Sequence, residues 1–278
     1  MSVVMRPSRR FAFFAKKYAD LWVSYVENGV NDTLDLTDKE NVFLSGWQRE
    51  HYFDVGFDAM RIVLQALLNG GRDEPRRILD FPCGSGRVTR HFRSMFPDAQ
   101  IGGCDLYKSH VDFCAKNFST LPIVSKENLD ELEVGEWDLI FCGSLLTHLP
   151  EKLFWATIRF MVRSLTPNGI AIVTLEGRHA SHIQDRKWKF IEDDLFNIAR
   201  NRYATEGFGF VDYNADFRTA SFGEQESYGV ALTSPGWLMK GMEKMDDIRI
   251  LNFAEREWDD HQDVIVFGKP AVNADNPL

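Results

Sequence analysis

Basic residues are outnumbered in this sequence: 32 Lys and Arg face 41 Asp and Glu, a net charge of −9 over 278 residues. That balance disfavours a nucleic-acid phosphate backbone as substrate. No apolar run approaches the length of a membrane span. Residues 1–17 are basic and aromatic, but the apolar stretch Phe11–Ala15 is too short for the core of a secretory leader. Cysteine is scarce too. The four present, Cys83, Cys104, Cys114 and Cys142, show no metal-ligand pairing, and His, Asp and Glu form no metal-binding pattern. Repeats and low-complexity tracts are also missing. The expectation is a protein of the reducing cytoplasm with no metal, no membrane anchor and no nucleic-acid partner. What is plentiful is ordinary: 44% hydrophobic and 26% charged residues, enough apolar material for a normal core.

The informative stretch is residues 77–91, Arg-Ile-Leu-Asp-Phe-Pro-Cys-Gly-Ser-Gly-Arg-Val-Thr-Arg-His. A short apolar run, Ile78–Leu79, ends in a carboxylate at Asp80, and a small-residue turn, Cys83–Gly86, follows. Val88, Phe92 and Phe96 then recur at four-residue spacing, which gives one helical face. The pattern predicts a strand, a tight glycine turn and a helix N-terminus. Glycine lacks a Cβ and tolerates positive φ, so a ligand can approach such a turn closely. The helix N-terminus presents unsatisfied N–H groups to polar or anionic atoms. A nucleotide-like cofactor at the carboxyl ends of parallel strands suits both features. A dinucleotide fingerprint would need a third glycine, where this chain has Thr89. A nicotinamide-dependent oxidoreductase is therefore the lesser alternative. Ile101–Cys104 predicts a second strand closing on Asp105, near the spacing at which an acid meets a nucleotide ribose. Two acceptor oxygens suit a vicinal diol; helix capping is the other role open to Asp105.

Strands and helices alternate from there. Leu121–Val124, Trp137–Cys142 and Ile170–Leu175 read as strands, the last nearly continuous in apolar residues, as when helices cover both faces. Helical stripes, Val111/Cys114/Ala115/Phe118 and Leu153/Ala156/Phe160/Met161/Leu165, separate them. Ser234-Pro235 opens a further helix to about Met245, and Ile248–Phe253 and Val264–Phe267 are the last strands. This alternation gives an α/β, doubly wound sheet. Residues 1–76 precede it, with an amphipathic helix at Asp58–Leu68 entered through His51–Gly56. Residues 177–233 are inserted after the fifth strand, with a helix predicted near Trp188–Arg202 and then the stretch Gly207–Tyr213, rich in glycine and aromatics. An insertion at that end of a sheet is a natural substrate lid.

The segment Asp80–Gly86 resembles motif I of class I S-adenosylmethionine-dependent methyltransferases, an acid followed by x-G-x-G-x-G. Asp80 matches the acid, Gly84 and Gly86 match the second and third glycines, and Pro82 stands where the first would be. The likeness runs closely over about residues 77–176 and extends to the C-terminal strands. It implies a Rossmann-like, mostly parallel seven-stranded sheet with an antiparallel C-terminal strand, and S-adenosyl-L-methionine as cofactor. It also implies a cofactor site drawn from Asp80, Pro82, Cys83, Gly84, Gly86, Asp105, Leu106, Ser125, Cys142 and Gly143. Asp105 would take the ribose hydroxyls, and Ser125 lies where the family contacts adenine. Tyr52, in the N-terminal extension, is a candidate cover for the methionine end.

Three patches, residues 80–88, 143–149 and 258–264, look like a bacterial subgroup of these enzymes found with glycan and surface-polysaccharide biosynthesis proteins. That likeness implies a sugar hydroxyl as acceptor. An alcohol acceptor needs a general base, and histidine is the usual choice. His148 follows the fourth strand and His179 the fifth; both are candidate catalytic or acceptor-binding residues, with helix capping or packing the competing role for His148. His261, in a turn between the last strands, reads as structural, and His91 and His110 as helix-surface residues. The expected function is methyl transfer to a small-molecule acceptor, at a hydroxyl. The reading from a different class is a non-catalytic partner protein that only binds the cofactor.

Overall fold

Ile78 and Leu79 are neighbours in sequence that face opposite sides of one sheet, and this alternation sets the architecture. The computed structural model describes residues 9–35, 47–183, 191–215 and 227–270. Seven strands run in the order β3 (Leu121–Val124), β2 (Gln100–Asp105), β1 (Arg77–Asp80), β4 (Trp137–Cys142), β5 (Leu165–Leu175), β9 (Gln262–Gly268) and β8 (Arg249–Trp258). The first five are mutually parallel; β9 is antiparallel to both β5 and β8. This is the doubly wound sheet that the strand alternation predicts, in the Rossmann-like form with an antiparallel C-terminal strand that the resemblance implies.

Ile78, Leu139, Phe141, Ile172 and Val266 share one core with α1 (Arg9–Asn28), α2 (Trp47–Gly70) and α3 (Thr89–Met95). Leu79, Ile140, Cys142, Val173 and Phe267 share the other with α5 (Glu151–Arg163) and α8 (Pro235–Met242). Both faces are apolar because both are covered, so the strands read as unbroken hydrophobic runs. The fourth helix, α4 (Lys108–Phe118), packs along β2 and β3.

Several boundaries differ from the sequence expectation. His51–Gly56 is not the entry to a helix but lies inside α2, which begins at Trp47. Its Gly56 is set by packing: a Cβ there would collide with the His91 ring of α3, so glycine lets the two helices approach. His91 is accordingly buried rather than on a helix surface, with Nδ1 2.6 Å from the Tyr25 hydroxyl of α1. The strand expected at Ile170 begins earlier, at Leu165, and Thr166–Gly169 lies within its irregular start. The helix after Ser234 closes at Met242, and β8 reaches Trp258.

The insertion after β5 comprises α6 (Arg178–Ile183), α7 (Asp193–Glu206) and a two-stranded antiparallel sheet, β6 (Phe208–Asp212) with β7 (Gly229–Thr233). Residues 188–190 of the expected Trp188–Arg202 helix lie outside the described residues, and the helix observed starts at Asp193. Gly207 ends α7 in the left-handed region at φ 85°, and the stretch after it is strand β6. Ala180, Phe196, Ala199, Val211, Val230 and Leu232 give this unit its own small core. It is tied back to the main sheet where Thr233 N–H donates to the Glu176 carbonyl at 2.7 Å. Among the described residues, no helix is long and apolar enough to cross a membrane.

The β8–β9 hairpin is pinned to α2 by Trp258, whose Nε1–H donates to the Val55 carbonyl at 2.9 Å inside the core. Trp258→Phe leaves that carbonyl buried without its donor, which costs on the order of 1–3 kcal/mol. The expected outcome is a loss of that size in urea unfolding, with the slope of the transition unchanged.

Candidate functional site

Parallel strands β1, β2, β4 and β5 all end on one edge of the sheet, so the residues that follow them meet there. Asp80 closes β1 and is buried; its Oδ2 accepts the Thr89 hydroxyl at 2.6 Å. Burial pushes its carboxyl up to about 7, against the opposing pull of the Thr89 hydrogen bond. The residue that breaks the dinucleotide pattern thus holds the acid of the motif in place. Between them runs the turn Cys83–Val88, entered through a cis Phe81–Pro82 peptide. Gly84 and Gly86 both have positive φ, at 49° and 84°. A Cβ on Gly86 would run into the Phe118 ring, so that glycine faces the protein. A Cβ on Gly84 would meet nothing within 4 Å, so its backbone faces open space.

Asp105 closes β2 and fastens the turn. Its Oδ2 accepts Gly84 N–H at 2.9 Å and its Oδ1 accepts Tyr107 N–H at 2.9 Å, just before α4. His110 Nδ1 stands 3.4 Å from Oδ1, so His110 belongs to this site and is not an ordinary helix-surface residue. Each carboxylate oxygen keeps a second lone pair. Capping and ligand binding are therefore both open to Asp105. Next to it Leu106 is 38% exposed, an apolar side chain at the rim. Ser125 N–H donates to the Asp105 carbonyl at 2.8 Å, which brings the end of β3 to the same place.

Pro82 is half-buried, and Cys83 packs with Cys114 and Phe118 behind the turn. Cys142 is fully buried at the end of β4, its thiol pushed up by burial. Tyr52 of α2 is buried beneath Arg90, whose guanidinium lies 5.3 Å from the ring centroid. Arg90 itself has 1% of its surface exposed and donates to the carbonyls of Gly86, Ser85, Asn31 and Thr33. It fastens the N-terminal segment onto the glycine turn. Sequence reasoning missed it, since an arginine in the first turn of a helix carries no mark of burial.

The edge between β4 and β5 is organised by Gly143 and Ser144. A side chain on Gly143 would press on Phe141 and Trp258. Ser144 is held in the left-handed region at φ 54°, where a non-glycine residue is uncommon. Its N–H donates to Thr174 Oγ1 at 2.8 Å, and its hydroxyl accepts Gln262 Nε2 at 3.0 Å.

His148 follows in a 3-10 turn and reaches the insertion: Nδ1 is 2.8 Å from the Gly229 carbonyl of β7. A carbonyl only accepts, so the proton sits on Nδ1 and Nε2 carries the lone pair. The ring stacks on Tyr228 at 4.8 Å, and the Tyr213 hydroxyl is 3.4 Å from Nδ1. Burial pushes this imidazole down to about 4, with the Gly229 hydrogen bond opposing the shift. His179 of α6 lies 6.1 Å from His261, ring to ring, and His261 Nε2 is 3.9 Å from Glu176 Oε1. The fold thus brings His261 and Glu176 to the edge where His179 was expected. Among the described residues, no three His, Cys, Asp or Glu side chains assemble as a metal site.

Residues 79–171 match a protein family described as a methyltransferase domain. Malonyl-[acyl-carrier protein] O-methyltransferase of Halalkalibacterium halodurans is 30% identical over 113 residues, 38% of this chain and 41% of that protein. Trans-aconitate 2-methyltransferase of Rhodopseudomonas palustris is 25% identical over 157 residues, 54% of this chain and 58% of that protein. The chain spans about half the length of these curated relatives. Two solved structures share the fold over nearly the whole chain. An S-adenosylmethionine-dependent methyltransferase from Clostridium acetobutylicum has TM-score 0.50 at 12% identity, covering 92% of this chain and 98% of the other. The 1,6-didemethyltoxoflavin-N1-methyltransferase of Burkholderia thailandensis has TM-score 0.51 at 13% identity, covering 96% of this chain and 93% of the other.

The His148 geometry makes a direct prediction. Long-range nitrogen–proton NMR correlations should show His148 neutral and Nδ1-protonated from pH 8 down to pH 5, with titration only near 4. A midpoint close to 6.5 would mean the ring is solvated and the Gly229 contact is not made.

Proposed function

We propose that this chain, whose residues 79–171 match a methyltransferase domain family, is a class I enzyme that uses S-adenosylmethionine to methylate a hydroxyl group of a small-molecule acceptor. The observation that carries the reading is the Asp105 carboxylate, fastened at 2.9 Å to the N–H of a glycine whose open side has room for a ligand. The residues present suit the cofactor. Asp105 offers its remaining lone pairs to ribose hydroxyls, Leu106 an apolar surface for adenine, and Ser125 a hydroxyl at its rim. The turn at Pro82–Gly86 and the β4 end at Cys142–Gly143 would flank the methionine part. Asp80 places an acid at the same edge, which favours a cationic ligand. The cofactor's contribution when bound is an electrophilic methyl on a sulfonium.

The chain's own residues do the rest by positioning, which can supply much of the rate of such a displacement. The N-terminal helices, fastened through Arg90 and Tyr52, would cover the cofactor and exclude water. The insertion 177–233 would close over the acceptor. His148, with Nδ1–H held by Gly229, offers Nε2 as an acceptor for the substrate hydroxyl, and His179 lines the other side. The aromatic surfaces of Tyr213 and Tyr228 suit a sugar or glycan precursor, in line with the subgroup resemblance of residues 80–88, 143–149 and 258–264. Thr89, committed to Asp80, occupies the place where a dinucleotide site would need a glycine.

Calorimetric titration tests the cofactor directly: heat is expected with S-adenosylmethionine and its demethylated product and none with NAD, and heat with NAD alone would overturn the reading. Asp105→Asn keeps the size of the side chain, but its single oxygen can accept from only one of the Gly84 and Tyr107 N–H groups, its NH₂ accepts from neither, and the charge is lost. A charge-assisted bond is worth roughly 1.5–3 kcal/mol and a neutral one roughly 0.5–1.5, so affinity should fall by about tenfold. An unchanged dissociation constant would confine Asp105 to capping.

A further inference from the structure

Three apolar strands of this sheet end in an acid: β1 at Asp80, β2 at Asp105, and β5 at Glu176 just beyond Leu175. Two of the three are committed, Asp80 to Thr89 and Asp105 to the N–H groups of Gly84 and Tyr107. Glu176 is not. Among the described residues its carboxyl oxygens accept no hydrogen bond, although the residue is only 4% exposed. Its main chain is fixed from both sides, by the β5 strand before it and by Thr233 N–H on its carbonyl. The side chain therefore stands at a defined place on the edge shared with Ser144 and His148, and among the described residues none saturates it.

The groups packed around it come from four elements. The β8–β9 turn supplies His261, with Nε2 at 3.9 Å, and β9 supplies Asp263. The chain after β6 supplies Tyr213, whose hydroxyl is pushed up by burial and by Glu176, with His148 beyond it. The α6 helix supplies His179 beside His261, and Arg178, which is turned outward to Glu255 at 2.7 Å. No Lys or Arg among the described residues is within ion-pair distance of Glu176, so its carboxylate is not neutralised by a fixed cation. A buried carboxyl in that situation holds its proton to higher pH than usual; here burial pushes it up to about 8. A base tuned close to the operating pH is the most effective kind.

We infer that Glu176 is the general base of the acceptor site, taking the proton of an uncharged hydroxyl acceptor. The inference rests on the methyl-transfer reading above and deepens it. In the step, a lone pair of the acceptor oxygen forms the new O–CH₃ bond, and the S–CH₃ bond breaks with its electron pair left on sulfur. The hydroxyl proton passes to the Glu176 carboxylate. Sulfonium, alcohol and carboxylate thus become thioether, methyl ether and carboxylic acid, and charge balances. An acceptor that is already a carboxylate would need no base. It would also bring a second negative charge against Glu176 and the buried Asp263, a costly arrangement where water is excluded.

Three measurements on the full chain and on Glu176→Gln test this. Calorimetry with S-adenosylmethionine should give the same affinity for both. No binding by the unaltered chain would overturn the methyl-transfer reading itself. Binding lost only in Glu176→Gln would move Glu176 into the cofactor pocket and overturn the inference alone. Infrared difference spectra between the two proteins should isolate one protonated carboxyl band that fades as pH rises through about 8; its absence at pH 6 would overturn the inference without any acceptor. Transfer of labelled methyl to a panel of glycosides and a panel of carboxylic acids gives the third readout. Hydroxyl methylation should rise with pH through about 8, because the base works deprotonated. In Glu176→Gln it should fall by about 10²–10⁴-fold and lose that rise. Glu176→Asp, which keeps the acid on a shorter stem, should keep the infrared band and an intermediate rate. Transfer to carboxylic acids that Glu176→Gln leaves unchanged, or no transfer to any glycoside, would overturn the proposal.

Discussion

The carboxylate of Asp105 is the contact on which the glycine-turn edge of this sheet depends. A glycine turn at the end of a strand has no side chains with which to define itself. Here it is defined from the neighbouring strand, by one oxygen on Gly84 N–H and the other on Tyr107 N–H. The same acid thus sets the turn after β1 and the chain entering α4, and the Ser125 N–H on its carbonyl brings in the end of β3. Three strand ends are locked together by one residue. Arg90 completes the lock from behind, spending its donors on the carbonyls of the turn and of Asn31 and Thr33. Because those acceptors are neutral, the guanidinium brings no competing carboxylate into the site.

Much of this was legible in the sequence because it is local. A run such as Ile78-Leu79-Asp80 announces a buried strand and its polar end within a few residues, and Gly84 and Gly86 announce backbone that side chains would obstruct. The sheet order follows because parallel strands with helical crossovers have few ways to connect. Harder to read was anything decided by packing between distant segments. His91 has the spacing of an exposed helix residue. It is buried because Gly56, some thirty-five residues earlier, lacks a side chain and lets α2 approach, and because Tyr25 of α1 supplies a partner for its ring. His110 is likewise drawn to Asp105 by the turn of α4, which its sequence neighbours do not reveal.

Glu176, the proposed base, is not singled out by the sequence. The signal that singled out Asp80 and Asp105, an acid closing an apolar run, is present in Ile170–Leu175 followed by Glu176. Histidine is the customary base, and His148 and His179 drew the assignment instead. Burial acts on the two kinds of side chain in opposite directions. Burial moves His148 away from neutrality, toward a form that stays uncharged and holds a proton poorly, whereas the same burial moves Glu176 toward neutrality. Desolvation penalises the charged form of both, and the opposite shifts follow from the opposite charges.

In the proposed reaction, that asymmetry divides the labour between His148 and Glu176. A histidine kept neutral, with Nδ1–H fixed on Gly229 and its face on Tyr228, is a rigid hydrogen-bond acceptor whose charge does not change over the ordinary pH range. It can orient a hydroxyl without attracting anions. A carboxyl poised near neutrality can exchange a proton with that hydroxyl and then with water. Both depend on the insertion, since Gly229, Tyr228 and Tyr213 belong to it and Thr233 fixes the Glu176 carbonyl. The β6–β7 sheet is therefore not simply a cover laid over a finished site. It removes water from His148 and Glu176, and that removal is what separates their proton affinities from those of the free side chains.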